Sequence, residues 1–220
     1  MIMAKRMKRW LLASGLVTLA IFALAGTWRD PWLWAYVVVC SAAAGYALFS
    51  IDEDLARERF HPPTAGADGV ALNFVRVIAL THLVVGTLDS SRWHVTAPVP
   101  SGLRAFALAA MAVTFGMFYR SMRENRFFSS VVRVQNERGH QVIDSGPYSI
   151  VRHPGYAGLI LGIPFSGLAL GSWIAAAIGL VMSAMILRRV MFEDAFLQRN
   201  LDGYTAYTDR VRHRLIPGVW

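Results

Sequence analysis

A short polar stretch at the start of an apolar run brings together side chains that could hold a charged small molecule. The stretch GPYSIVRHPGYAG, residues 146–158, contains Arg152 and His153, whose N–H groups can donate hydrogen bonds to a carboxylate. Tyr148 and Tyr156 lie beside them and offer flat aromatic faces that can contact a planar ring or a cation. These residue types predict a binding site for a charged ligand.

The backbone of this stretch is not expected to form a regular helix throughout. Pro147 and Pro154 restrict the backbone angles at and before their own positions. Gly146 and Gly158 permit positive φ angles or a close approach of the backbone to another group. We therefore predict that these four residues shape the ligand site. Gly158 also begins a GxxxG pair, for which tight helix packing is the favoured alternative.

An acidic pair downstream could supply the opposite charge. Glu193 and Asp194 lie in the segment LRRVMFEDAF, at the end of an apolar run, and Arg189 precedes Glu193 by four residues. One interpretation is a helical ion pair between Arg189 and Glu193, which is worth roughly 0.3–0.5 kcal/mol when exposed. The other is that both acids face a ligand, because polar side chains at membrane depth are costly.

The composition of the chain indicates a membrane protein. Of its 220 residues, 55% are hydrophobic and 16% are charged, whereas a soluble domain carries about a quarter charged residues. The net charge of +8 is better explained by cationic loops beside anionic lipid than by nucleic acid, because no basic stripe on a polar fold is visible. Cys40 is the single cysteine, so no intrachain disulfide and no cysteine-based metal site are predicted. We expect no other metal site.

Six apolar segments approach the length of about 20 residues that a membrane-spanning helix needs. We predict an all-α integral membrane protein whose last two helices form a short hairpin joined by Gly171 and Ser172. It forms one membrane domain, with four spans in residues 1–119 and a ligand-binding half in 120–220. The predicted spans are Trp10–Trp28, Pro31–Ile51, Val70–Leu88, Leu103–Tyr119, Tyr156–Leu170 and Trp173–Leu187.

The distribution of basic residues predicts the orientation. Lysine and arginine are concentrated in the N-terminus, in the loop 52–69, in residues 120–153 and in the C-terminal tail, whereas the alternate loops carry few. The positive-inside rule therefore predicts that both termini are cytoplasmic. The loop 52–69 could act as a lid or simply connect two spans. Cleavage of the first span as a signal peptide is the less favoured alternative, because a second span follows at once.

Three segments of the C-terminal half together resemble the isoprenylcysteine carboxyl methyltransferase family, a group of integral membrane enzymes related to the phospholipid methyltransferases. They are GHQVIDSGPYSIVRHPGYAG (139–158), RRVMFEDAFL (188–197) and GYTAYTDRVRHRLIP (203–217). The resemblance implies a cytosol-facing pocket for S-adenosylmethionine. It implies that the cofactor-binding residues are His140, Gly146, Pro147, Tyr148, His153, Pro154, Tyr156, Gly158, Glu193 and Asp194.

Methyl transfer needs an acceptor that is aligned with the cofactor and shielded from water. A carboxylate or thiolate acceptor needs no general base, which suits a sequence without an obvious catalytic dyad. We predict that Arg189 orients an anionic acceptor and place Arg152 with it as the second catalytic candidate. The expected partners are a lipophilic or small-molecule acceptor and membrane lipid.

Because arginine far outnumbers lysine, the composition hints at a GC-rich bacterial genome.

Two other functions remain open at this point. Sterol and steroid reductases of similar architecture carry a segment like RHPxYxG and bind a nicotinamide dinucleotide, although the Glu193–Asp194 pair would repel phosphates. A transporter or scaffold would place polar residues along several spans, but here Asn73, Arg76 and His82 interrupt the third span alone. The methyltransferase interpretation requires that His153 and Glu193 lie in one cavity.

Overall fold

The computed structural model describes residues 2–63, 66–67 and 69–220, with the backbone alone for residue 2 and for residues 69–72. Parts of the predicted loop 52–69, namely residues 64, 65 and 68, lie outside the described residues. Within the described part every regular element is helical. The α-helices are α1 (Ile2–Ala25), α2 (Pro31–Ser50), α3 (Glu53–Phe60), α4 (Gly69–Leu88), α5 (Ser101–Glu124), α6 (Pro154–Leu170), α7 (Trp173–Asn200) and α8 (Tyr204–Arg210).

The helices match the predicted spans in number and order. α1, α2, α4, α5 and α7 are long and apolar enough to cross a membrane, while α6 is shorter, with 17 residues. The predicted all-helical integral membrane fold is therefore confirmed. α7 continues to Asn200, well beyond the predicted end at Leu187. Its second half contains many good helix formers, so the helix does not stop where the apolar run does.

The tight connection between α6 and α7 has a local cause. Gly171 ends α6 in the left-handed conformation, with φ of 93°, which glycine adopts without steric cost. Ser172 then caps α7, because its hydroxyl accepts a hydrogen bond from the Ala175 backbone N–H at 3.1 Å. Gly167 lies directly against the backbone of Ala176, where a Cβ would come within 2.2 Å of the amide nitrogen. The two helices can therefore pack in close contact.

The segments that were predicted to be cytoplasmic gather at one end of the helix bundle. Arg6 of α1 donates to the Ile51 carbonyl at the end of α2, at 2.8 Å. Glu58 of α3 forms an ion pair with Arg133, which follows α5, at 2.7 Å. This arrangement places the residues that follow α5 beside α3.

The polar residues of α4 divide between structural and exposed positions. His82 is buried, and its ring nitrogens pair with the Ala175 carbonyl at 2.9 Å and the Ser166 hydroxyl at 3.2 Å. Asn73 and Arg76 are exposed at the start of the helix. His82 thus holds α4 against α6 and α7, as a buried polar group with satisfied hydrogen bonds does.

Candidate functional site

A cavity of about 170 Å³ lies at this end of the bundle, between α5, α6, α7 and the residues that follow α5. His153, which immediately precedes α6, and Glu193 of α7 are both in its wall. The convergence on which the methyltransferase interpretation depends is therefore present. The predicted site residues that line the cavity are His140, Tyr148, Arg152, His153, Tyr156, Arg189 and Glu193.

Asp194 lies behind this cavity rather than in its wall. Its side chain is 1% exposed, and its carboxylate accepts hydrogen bonds from His153 Nε2 at 3.1 Å, Tyr204 Oη at 3.1 Å and Arg214 Nε at 2.8 Å. Gln198 adds another at 3.1 Å. The two acids of the predicted pair consequently differ in their surroundings: Glu193 faces the cavity, while Asp194 holds the residues around it in place.

Arg152 uses most of its donors inside the protein. Its Nε and one terminal nitrogen donate to Asp194 at 2.9 and 3.0 Å, and the other terminal nitrogen donates to the carbonyls of Val211 and Arg212. Its backbone N–H also bonds to the His213 carbonyl. This guanidinium joins α7 and the C-terminal tail to the start of α6 and thereby positions them. Arg152 also lines the cavity, and its contact with an acceptor stays a prediction.

The hydroxyl of Tyr156 connects Arg189 with Glu193. It accepts a hydrogen bond from Arg189 Nε at 2.8 Å and donates one to Glu193 Oε2 at 2.6 Å. Arg189 also donates to the backbone carbonyl of Ser130 at 2.7 Å. A cation, a phenol and a carboxylate are thus fixed side by side in the cavity wall, where charge-assisted hydrogen bonds are the strong ones.

The remaining loop residues shape the site from outside the cavity wall. Gly146 has φ of 54°, and a Cβ there would lie 2.8 Å from the carboxyl carbon of Glu124. Pro147 lies in the short helical turn Gly146–Ser149 that carries Tyr148, and Pro154 is the first residue of α6. Their contribution is to the path of the backbone, since none of these three residues lines the cavity.

Gly158 belongs to a helix interface, as the alternative interpretation of its GxxxG pair predicted. A Cβ at this position would lie 2.5 Å from the Thr114 carbonyl oxygen and 2.9 Å from the Phe118 backbone nitrogen, both in α5. Such distances allow no side chain without movement of the backbone. Gly158 therefore brings α5 and α6 together and is not placed to touch a ligand in the cavity.

His140 forms part of the cavity wall. Its ring stacks on Phe127 with the ring centres 4.4 Å apart, and its Nδ1 accepts a hydrogen bond from the Gln135 backbone N–H at 3.2 Å. The hydrogen bond assigns the ring proton to Nε2. Burial, with the positive charges of Arg133 and Arg138 nearby, lowers the pKa of His140 from 6.5 to about 4. The ring is therefore a neutral donor at physiological pH.

Ser130 is a site residue that the sequence did not suggest. It is 4% exposed and lies in the cavity wall, and its hydroxyl oxygen has no hydrogen-bond partner among the described residues. A buried hydroxyl without a partner is costly, so a ligand in this cavity would supply the missing bond. Nothing in the sequence distinguishes it from the neighbouring Ser129, which bonds to Glu58 at 2.6 Å.

Comparison with known proteins shows that the central part of the chain is similar to one family. The sequence model of the isoprenylcysteine carboxyl methyltransferase (ICMT) family matches residues 106–199. A probable protein-S-isoprenylcysteine O-methyltransferase of Oryza sativa subsp. indica is 30% identical over 92 residues. Protein-S-isoprenylcysteine O-methyltransferase B of Arabidopsis thaliana is 27% identical over 88 residues. The predicted family resemblance is thus confirmed.

The similarity covers only part of each protein. The match to the rice protein includes 41% of this chain and 48% of the relative, and the match to the Arabidopsis protein includes 39% and 45%. The chain therefore matches about half the length of these curated relatives. The family segment contains α6, most of α5 and nearly all of α7, which are the helices that surround the cavity.

Proposed function

We propose, from the ICMT-family character of residues 106–199, that this chain is an S-adenosylmethionine-dependent methyltransferase. The observation that carries the proposal is the shared cavity of His153 and Glu193, in which donors and a carboxylate face one space. The acceptor is a lipophilic or small anionic molecule, a carboxylate or a thiolate, that reaches the site from the membrane. Both relatives are named as O-methyltransferases, which favours the carboxylate.

The residues of the cavity suit S-adenosylmethionine. Glu193 presents a carboxylate that can pair with the α-ammonium group or accept from the ribose hydroxyls. His140 offers a neutral Nε2–H donor, and the unpaired hydroxyl of Ser130 can either donate or accept. The charges and donors therefore match a ligand that carries an ammonium, a carboxylate and a ribose.

When bound, S-adenosylmethionine supplies a methyl group on a positively charged sulfur, which the acceptor oxygen or sulfur displaces. The protein positions the acceptor and excludes water from this reaction. Arg189 is suited to orient an anionic acceptor, because Tyr156 and the Ser130 carbonyl fix its guanidinium in the cavity wall. An ionised acceptor has no proton to lose, so the site needs no general base.

The proposed orientation has both termini and the cavity at the cytoplasmic face of an inner membrane, since the basic segments gather at one end of the bundle. Soluble cofactor then enters from the cytoplasm, while a lipophilic acceptor enters between helices from the lipid side. The two molecules need not share an entrance.

Ligand binding distinguishes the proposed function from the reductase alternative. The thermal unfolding midpoint of the detergent-purified protein is measured with S-adenosylhomocysteine and, separately, with NADPH. We expect S-adenosylhomocysteine to raise the midpoint by mass action and NADPH to leave it unchanged. Stabilisation by NADPH alone would replace the methyltransferase with a reductase.

Glu193→Gln, measured by titration calorimetry, tests the carboxylate that faces the cavity. We expect about a tenfold or larger loss of affinity for S-adenosylhomocysteine, because the neutral amide of glutamine replaces the negative charge that would pair with the ligand's ammonium group. Glu137→Gln is the matched control, since Glu137 is exposed and does not line the cavity. Equal affinities for the two variants would remove Glu193 from the binding site.

A further inference from the structure

A second cavity adjoins the first at the cytoplasmic end of the bundle. It has a volume of about 480 Å³ and lies among α1, α2, α3 and α5, with a mostly apolar wall that includes Trp10 and Cys40. Arg59 and Phe118 belong to the walls of both cavities. These two residues therefore mark the boundary between the space assigned to the cofactor and an apolar space between membrane helices.

The guanidinium of Arg59 is held at this boundary by aromatic rings. Its central carbon lies 5.7 Å from the ring centre of Phe118 and 5.6 Å from that of Phe128. Among the described residues, the Arg59 side chain forms no hydrogen bond or ion pair. Other arginines of the first cavity have carboxylates nearby: Arg133 pairs with Glu58, and Arg152 with Asp194.

Such an arrangement leaves the N–H groups of Arg59 available to a ligand. A guanidinium stacked on rings keeps its planar set of donors free, and that set matches a carboxylate in a two-point contact. Burial lowers the pKa of Arg59, and the positive charge of Arg189 acts in the same direction. A ligand carboxylate between these two arginines would pair with the partly desolvated cation of Arg59 and offset its repulsion from Arg189. Both causes that lower the pKa of Arg59 would then be weaker.

We propose that Arg59 binds the carboxylate of a lipophilic acceptor whose hydrocarbon chain occupies the apolar cavity between α1, α2 and α5. The proposal rests on the methyltransferase function and specifies where its acceptor lies. The carboxylate is then at the boundary with the first cavity, and the chain extends away from the cofactor into apolar surroundings. Arg59 thereby selects acceptors that combine one negative charge with an apolar chain.

Binding of a matched pair of ligands tests the role of Arg59. The protein is reconstituted in phosphatidylcholine nanodiscs, and radiolabelled N-acetyl-S-farnesylcysteine or its uncharged carboxamide is measured by equilibrium dialysis against empty nanodiscs. We expect Arg59→Gln to weaken binding of the carboxylate about tenfold or more, because a charged hydrogen bond is lost. Binding of the carboxamide is expected to be the same in the variant and the wild type.

Arg57→Gln is the matched control, because Arg57 is exposed on the same short helix and lines neither cavity. It should bind both ligands as the wild type does. The proposal is overturned if Arg59→Gln leaves the carboxylate affinity unchanged, weakens both ligands equally, or matches Arg57→Gln. A fatty acid in place of the farnesyl compound shows whether any carboxylate on a hydrocarbon chain is accepted.

Fluorescence quenching locates the hydrocarbon chain separately. A brominated fatty acid should quench the wild type more than Trp10→Phe, because Trp10 lies in the wall of the apolar cavity. Equal fractional quenching in the wild type and in Trp10→Phe would place the hydrocarbon chain elsewhere.

Binding of S-adenosylhomocysteine is measured on the same samples. If it persists while Arg59→Gln has no effect, the acceptor assignment fails and the proposed function stands; if it is absent from the wild type, the proposed function fails.

Discussion

Arg152 and Asp194 form a two-point ion pair in the interior of the protein, with Nε–Oδ1 and Nη2–Oδ2 distances of 2.9 and 3.0 Å. The pair joins the residue two positions before α6 to the C-terminal half of α7. Because the same carboxylate also bonds to His153, it connects the two sides of the cavity. The relative placement of His153 and Glu193 consequently depends on an acid that is not itself in the cavity wall.

Asp194→Asn should destabilise the protein strongly. The substitution leaves the guanidinium of Arg152 buried without its counter-charge, and loss of one partner of a buried pair costs about 3–5 kcal/mol. For a chain of this size that corresponds to a fall of about 10 °C in the thermal unfolding midpoint. Differential scanning fluorimetry of the detergent-purified protein measures the shift.

Asp144→Asn provides the control for this substitution. Asp144 pairs with Arg210 at 2.7 Å, but both side chains are more than half exposed. Exposed ion pairs contribute about 0–1 kcal/mol, so this variant should unfold within a few degrees of the wild type. Similar midpoints for the two variants would show that the Arg152–Asp194 pair does not stabilise the site as described.

Gly158→Ala tests the assignment of this glycine to helix packing. Its Cβ would lie 2.5 Å from the Thr114 carbonyl, so α5 and α6 must separate, and overpacking of this kind costs about 1–3 kcal/mol. Gly116→Ala in α5 is the control, because no atom lies within 4 Å of its Cβ position. We expect the unfolding midpoint to fall for Gly158→Ala and to remain equal or rise for Gly116→Ala. The reverse order would contradict the interface assignment.

The helical architecture was largely predictable because each span is long, apolar and bounded by turn residues. Pro31 begins α2 as predicted, and the Gly171–Ser172 turn separates α6 from α7. The end of α7 was not predictable from hydropathy. The helix leaves the apolar run at Leu187 and continues through charged residues, where helix propensity rather than hydrophobicity decides its length.

The sequence predicted part of the set of residues that line the cavity but not the contacts among them. The motifs named Glu193 and Asp194 together, yet one helical step turns them to different surroundings, which only the packing of α7 against the C-terminal tail determines. Ser130 and Arg59 lie in segments without a recognisable motif. Their positions arise from contacts between residues distant in sequence, such as the pairing of Glu58 in α3 with Arg133.

His140 makes the stability of the protein depend on pH. Its pKa is lowered to about 4 in the folded protein from an ordinary value of 6.5, because the ring is partly buried and lies near arginines. The unfolded chain therefore binds a proton at His140 more readily than the folded protein does between these two values. The contribution of the neutral His140 ring to the free energy of unfolding is fully present above about pH 6.5 and is lost as the pH falls towards 4.

His140→Asn should remove this dependence while keeping an acceptor for the Gln135 N–H. We expect the wild type to lose stability relative to the variant as the pH falls from about 6.5 to about 4, with a constant difference outside this window. Chemical unfolding of both proteins at half-unit pH steps measures the difference. The carboxylates titrate in both proteins, so subtraction of the two profiles isolates the histidine. Parallel profiles between pH 4 and 7 would show that the folded protein does not lower the pKa of His140, which contradicts the proposed effect of its burial and of the nearby arginines.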